Sequence, residues 1–198
     1  MYSLVKIPLF ANKSFFEFTK AEAKEYLQWF LSIKDERLTI LESHVKLAYP
    51  DWEADYTRDS LVNLYKWFLR QVAYRPMTEE EKREVENQIS ETPLFVGVIP
   101  VPQATFTDET VSICFDIGLY FGEVLIKNIP SLKWVQKLSS TNYIYYAQPV
   151  LSKPISKVPV NPRASIEGIA RRILDKDVEE ITFEMLYNKW FEKFTVAD

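Results

Sequence analysis

The chain has 198 residues, 47% hydrophobic and 15% aromatic, which is enough for one sizeable core and excludes a disordered composition. A net charge of -4 excludes a general binder of the nucleic-acid backbone and makes a basic partner easier to accommodate. With Cys114 and His44 the sole residues of their types, neither an intramolecular disulfide nor a Cys/His zinc site can be built, no cofactor is expected, and the expected compartment is the reducing cytoplasm.

Residues Met1 to Phe10 carry Lys6 inside a short apolar patch and Pro8 after it, so they lack the apolar core of a signal peptide and read as mature sequence. Thr19 with Glu22 forms a capping-box signature, and Ala23, Tyr26, Leu27, Phe30 and Leu31 follow at helical spacing. A second helix is expected over Leu38 to Leu47, ending before Pro50. Asp59 or Ser60 then caps a third, with Leu61, Leu64, Tyr65, Phe68, Leu69 and Val72 on its buried face and a stop near Pro76. Thr78 and Glu81 open a charged, solvent-facing helix to about Ile89, in which Glu79 and Arg83 are an i,i+4 pair.

Pro93, Pro100 and Pro102 surround an apolar run, Leu94 to Ile99, that suits a buried connector or short strand. Thr107 or Asp108 caps a long helix towards Asn128, apolar around most of its circumference as a central buried helix should be. Its apolar stretch, Val111 to Ile126, carries Asp116 and Glu123 and falls short of the about 20 residues of a membrane span. Leu132 to Leu138 and Tyr143 to Tyr146 read as the two strands of an antiparallel hairpin turned at Ser139 to Asn142. Pro149, Pro154, Pro159 and Pro162 mark an extended crossover before two short helices, about Ile166 to Leu174 and Thr182 to Phe194. The fold class expected is α+β: one predominantly helical domain with a small antiparallel hairpin or sheet.

At 100° per residue, Ser112, Asp116, Tyr120, Glu123 and Lys127 share one narrow arc of the long helix, and Gly118 and Gly122 lie on the opposite, apolar arc. Two glycines in a helix interior cost propensity, roughly 1 kcal/mol each against alanine, and imply that another element packs close to the backbone there. The run Asp116-Ile117-Gly118-Leu119-Tyr120-Phe121-Gly122-Glu123-Val124-Leu125, with Trp134 in a following strand, resembles a group of uncharacterised bacterial proteins. In these, a buried helix ends in Gly-Glu-aliphatic-aliphatic before a Trp-bearing strand, and some are regarded as immunity proteins against polymorphic toxins. The resemblance spans about residues 108 to 148 and points to Gly122, Glu123 and Trp134.

Two chemistries are open. Asp116 and Glu123, on one helical face with Tyr120 between them, would form a general acid/base pair of a hydrolase-like enzyme if that face opened into a cleft; buried carboxylates more often hold neighbouring backbone, and Lys127 is an i,i+4 partner for Glu123. Cys114, on the apolar side, reads as a core thiol, and His44 lacks a Glu three residues earlier for a di-iron motif. The four glycines do not form a phosphate-binding loop, and Arg171 and Arg172 are offset by Asp175, Asp177, Glu179 and Glu180.

The segment Tyr49 to Asp59 interleaves aromatics with acids between two helices, and Trp52, Asp55, Tyr56 and, from the long helix, Glu123 are the candidate binding residues. Such a loop suits a basic protein partner; the competing reading is that Trp52 and Tyr56 staple the third helix to the core. The first expectation is therefore a non-enzymatic protein-binding role of the immunity type, with the hydrolase as the alternative.

Overall fold

Helix α5, Asp108–Asn128, is the post around which the other elements are arranged. Thr107 caps it by accepting the Thr110 amide, and every residue from Ser112 to Gly122 is buried. The computed structural model describes residues 1–90, 100–154, 158–176 and 181–195. Before α5 come α1 (Lys20–Ser32), α2 (Lys34–Ala48), α3 (Ser60–Phe68), β1 (Tyr74–Pro76), α4 (Glu79–Ser90) and β2 (Ala104–Phe106). After it come β3 (Lys133–Val135), β4 (Val150–Ser152), α6 (Pro162–Leu174) and α7 (Phe183–Thr195). The fold is a helical α+β domain with two small antiparallel two-stranded sheets among the described residues.

The local rules act as expected at α1, α4 and α5, but not at α3, where Asp59 makes no capping bond and the Ser60 amide is instead taken by the Thr57 hydroxyl. Thr19 and Glu22 close a reciprocal capping box on α1, and Thr78 and Glu81 exchange the same pair of bonds at α4. The two glycines of α5 are sites of close approach. A Cβ on Gly118 would stand 2.8 Å from the Cα of Arg163 in α6, and one on Gly122 would run into the indole of Trp134. Helix α6 and strand β3 therefore lie directly against the backbone of α5 on its flat face. The thiol of Cys114 is buried on the apolar side, and burial raises its pKa.

Four expectations are corrected. Helix α2 begins at Lys34 rather than near Leu38, because Ile33 keeps a right-handed helical conformation and the chain turns from α1 into α2 without a breaker. Helix α3 stops at Phe68, well short of Pro76, and Tyr74–Pro76 pairs with Ala104–Phe106 as a strand. The strand partner of Trp134 is Leu151 and not the Tyr143 to Tyr146 segment, which is folded into successive turns (Tyr146 N–H to Tyr143 O, 2.8 Å; Gln148 N–H to Tyr145 O, 3.1 Å). Glu79 pairs with Lys82 at 2.8 Å, while Arg83 donates to the Glu79 carbonyl. The apolar run Leu94 to Ile99 lies outside the described residues.

Candidate functional site

The polar stripe of α5 is a row of attachment points. At its N-terminal end the Ser112 hydroxyl accepts the Val5 amide at 3.1 Å. One turn on, Asp116 is wholly buried and accepts from Arg37 Nε (2.8 Å), Arg37 Nη2 (2.7 Å) and the Tyr2 hydroxyl (2.5 Å). Burial pushes the Asp116 carboxyl up to about 6, against those bonds, and pushes the Tyr2 phenol up strongly. Arg37 Nη2 also donates to the Ser3 carbonyl at 2.8 Å, so the pair clasps the N-terminal segment onto α5.

Glu123, two turns further along, accepts from Trp134 Nε1 at 2.8 Å and from Lys34 Nζ at 2.9 Å. Its cation is thus Lys34 of α2, and Lys127, the local i,i+4 residue, instead donates to the Asp55 carbonyl at 2.6 Å. Asp116 and Glu123 consequently serve different tasks, one gripping Arg37 and the other tying β3 to α2, with every carboxylate oxygen engaged.

The C-terminal half of the stripe holds the loop between α2 and α3. The Tyr120 hydroxyl accepts the Tyr56 amide at 3.1 Å and lies 2.6 Å from Ser60 Oγ, which itself donates to the Thr57 carbonyl at 2.7 Å. Asn128 Nδ2 donates to the Tyr56 carbonyl at 3.1 Å, and the Tyr56 ring stacks on Tyr120 with centroids 5.3 Å apart. These bonds keep Tyr56 at φ 58°, a left-handed conformation unfavourable for a bulky residue. Desolvation lifts the Tyr120 phenol to about 12, so it remains a hydrogen-bond donor at neutral pH.

Of the predicted binding residues, Trp52 is buried, with its indole N–H donating to the Ser60 carbonyl at 2.9 Å and its ring 5.6 Å from that of Tyr120. It is a staple inside the loop, and Tyr56 is a half-buried one. Asp55 is exposed; its Oδ1 accepts the amide (2.9 Å) and hydroxyl (2.8 Å) of Thr57, a side-chain turn of the kind Asp favours. Burial pushes its carboxyl up, but the Thr57 bonds and the nearby Lys127 outweigh this and hold it below the ordinary range.

The side chains of Asp51, Glu53 and Asp59 are exposed and make no hydrogen bond or salt bridge among the described residues, with Lys46 of α2 near enough to Glu53 to be held charged by it. Arg58, the cation of the loop, is turned aside to Asn188 (3.0 Å) and Glu184 (3.6 Å) of α7. The surface formed is a stiff acidic loop. Sequence reasoning found the stripe and the loop but missed Arg37, Tyr2, Lys34, Ser60 and Asn128, whose partners lie far along the chain; for Arg37 and Lys34 the sole local signal was a cation on a helix that faces a buried acidic stripe.

Among the described residues no group of three or more His, Cys, Asp and Glu is placed to hold a metal, and no helix is long and apolar enough to cross a membrane. Compared with protein-family models, with curated proteins and with solved structures, the chain matches none.

Proposed function

We propose that this chain is a protein-binding module that recognises a basic partner through the loop 49–59, acting in the manner of an immunity protein that neutralises a toxin. The observation that carries this reading is the combination of a loop locked by Tyr120, Lys127 and Asn128 with exposed carboxylates at Asp51, Glu53 and Asp59 that no salt bridge ties down. A loop held in one conformation before binding loses little entropy on docking, and a surface on which carboxylates predominate accelerates encounter with a partner of opposite sign. The resemblance of residues 108–148 to proteins regarded as immunity proteins points the same way. In this reading Asp116 and Glu123 are supports of the recognition surface.

The test is an affinity capture of the tagged protein from its native host, run beside a triple variant, Asp51→Asn with Glu53→Gln and Asp59→Asn. A basic protein retained by the parent and lost by the variant, with retention weakening as salt is raised, is the expected result. Equal retention by both proteins would remove the loop from the interface.

A further inference from the structure

Away from that loop, the N-terminal segment crosses the first half of α5 and leaves a groove of about 290 Å³ beside it. Leu4 and Ile7, 45% and 46% exposed, form one wall, and Val111 and Phe115 of α5 line the other. Asp108 stands at the start of α5, and Arg163 reaches in from α6 with its guanidinium carbon 5.9 Å from the centre of the Phe115 ring.

Both charged groups have bonding capacity left. Arg163 spends Nε on Glu167 at 2.7 Å and hydrogen-bonds the Tyr26 hydroxyl, but neither Nη nitrogen meets a carboxylate or carbonyl among the described residues. The Asp108 carboxylate makes no hydrogen bond or salt bridge there either, its one charged neighbour of opposite sign being the more distant Arg75, which Glu81 already holds. From Asp108 to Phe115 the helix rises about 10 Å, close to the span of three extended residues. The groove thus offers an apolar trough with an anion at one end and a forked cation at the other, and an Arg fork suits a carboxylate.

We propose that this groove binds a short apolar peptide of about three residues with both termini free. Its carboxylate lies on the Nη nitrogens of Arg163, its ammonium group faces Asp108, and its side chains rest on Leu4, Ile7, Val111 and Phe115. The site is independent of the acidic loop and stands or falls separately from it.

Calorimetric titration of the full chain with the tripeptide Val-Leu-Val, its C-terminal amide and its N-acetyl form tests both charges. Each capped form should bind about tenfold more weakly than the free peptide, the loss expected for one charge-assisted hydrogen-bonding group. In Arg163→Gln the penalty for the amide should vanish while that for acetylation stays, and in Asp108→Asn the reverse should hold. Because each comparison is made within one variant, a general loss of stability cannot imitate this pattern. The proposal is overturned if no form binds, if free and amidated peptides bind alike, or if the amide penalty persists in Arg163→Gln. Binding that ignores acetylation would also overturn it, assigning the groove to the C-terminus of a longer chain.

Discussion

Arg37 of α2 and Asp116 of α5, 4% and 0% exposed, meet through two parallel bonds of 2.8 and 2.7 Å, and the same guanidinium holds the Ser3 carbonyl. Forked geometry of this kind fixes two helices and the N-terminal segment relative to one another. Removing one partner leaves the other charge buried and uncompensated, at about 3–5 kcal/mol. Arg37→Met is therefore expected to lose stability on that order in urea unfolding followed by circular dichroism. The double variant Arg37→Met with Asp116→Leu should recover much of the loss, and an equal loss in both proteins would show that the pair is not the source of the penalty.

The same carboxyl gives the protein a pH dependence of defined sign. In the folded chain Asp116 titrates at about 6, raised chiefly by burial and drawn down by Arg37 and Tyr2, whereas in the unfolded chain it titrates near 3.8. Between those values the folded state holds a proton that the unfolded state has released, so stability falls as pH rises across the window. The contribution is fully present below pH about 4 and lost once the pH has passed through about 6. Unfolding free energies of the parent measured against Asp116→Asn should diverge with this slope between pH 4 and 6 and run parallel above 7. A carboxyl carbon shift for Asp116 that titrates below 4 would contradict it.

The two α5 glycines should respond differently to alanine. At Gly118 the obstacle is backbone, Arg163 Cα at 2.8 Å and N at 3.0 Å, so α6 as a whole must move, at roughly 1–3 kcal/mol for overpacking. At Gly122 it is the indole of Trp134, pinned by its bond to Glu123. Trp134→Phe makes room there but not at Gly118. A double-mutant cycle should therefore give a clear coupling energy between Gly122→Ala and Trp134→Phe and little between Gly118→Ala and Trp134→Phe. Thermal unfolding of the parent, the three single variants and the two double variants measures both, and equal coupling would mean that the ring is not what Gly122 accommodates.

How much of this could be read from the chain follows the range of the forces. Caps, helical periodicity and the glycine face are local, and Thr19 with Glu22, Thr107, and Gly118 with Gly122 act where the sequence places them. The stripe itself was legible because a 21-residue helix repeats its geometry faithfully. Its partners were not, because Tyr2 and Arg37 lie 114 and 79 residues from Asp116 and carry no local mark of the pairing. Lys127 shows the hazard of stopping at the nearest partner: its ammonium reaches a loop carbonyl 72 residues away, while Glu123 takes Lys34. The misplaced hairpin has a similar cause. Tyr143 to Tyr146 have strand-forming side chains, but Ala147 at φ 60° and the turns around it direct the chain away from a ladder before Val150 begins one.

The loop and its support should separate kinetically if the acidic surface is a recognition site. Tyr56 donates its amide to Tyr120, whose hydroxyl, its acceptor role so engaged, donates to Ser60 Oγ, which donates in turn to the Thr57 carbonyl. Tyr120→Phe breaks this relay without touching a carboxylate or a ring contact, at about 1–3 kcal/mol for the groups left unpaired. Amide exchange at Tyr56 should accelerate, and the loop would then have to be reordered each time a partner docks. Long-range attraction depends on Asp51, Glu53, Asp55 and Asp59, which are untouched, so the association rate should hold while dissociation quickens. The triple carboxylate variant should do the opposite, slowing association and flattening its dependence on salt. Surface plasmon resonance on the captured partner distinguishes the two. A Tyr120→Phe protein with unchanged dissociation would show that the conformation of the loop, and so the stripe beneath it, has no part in recognition.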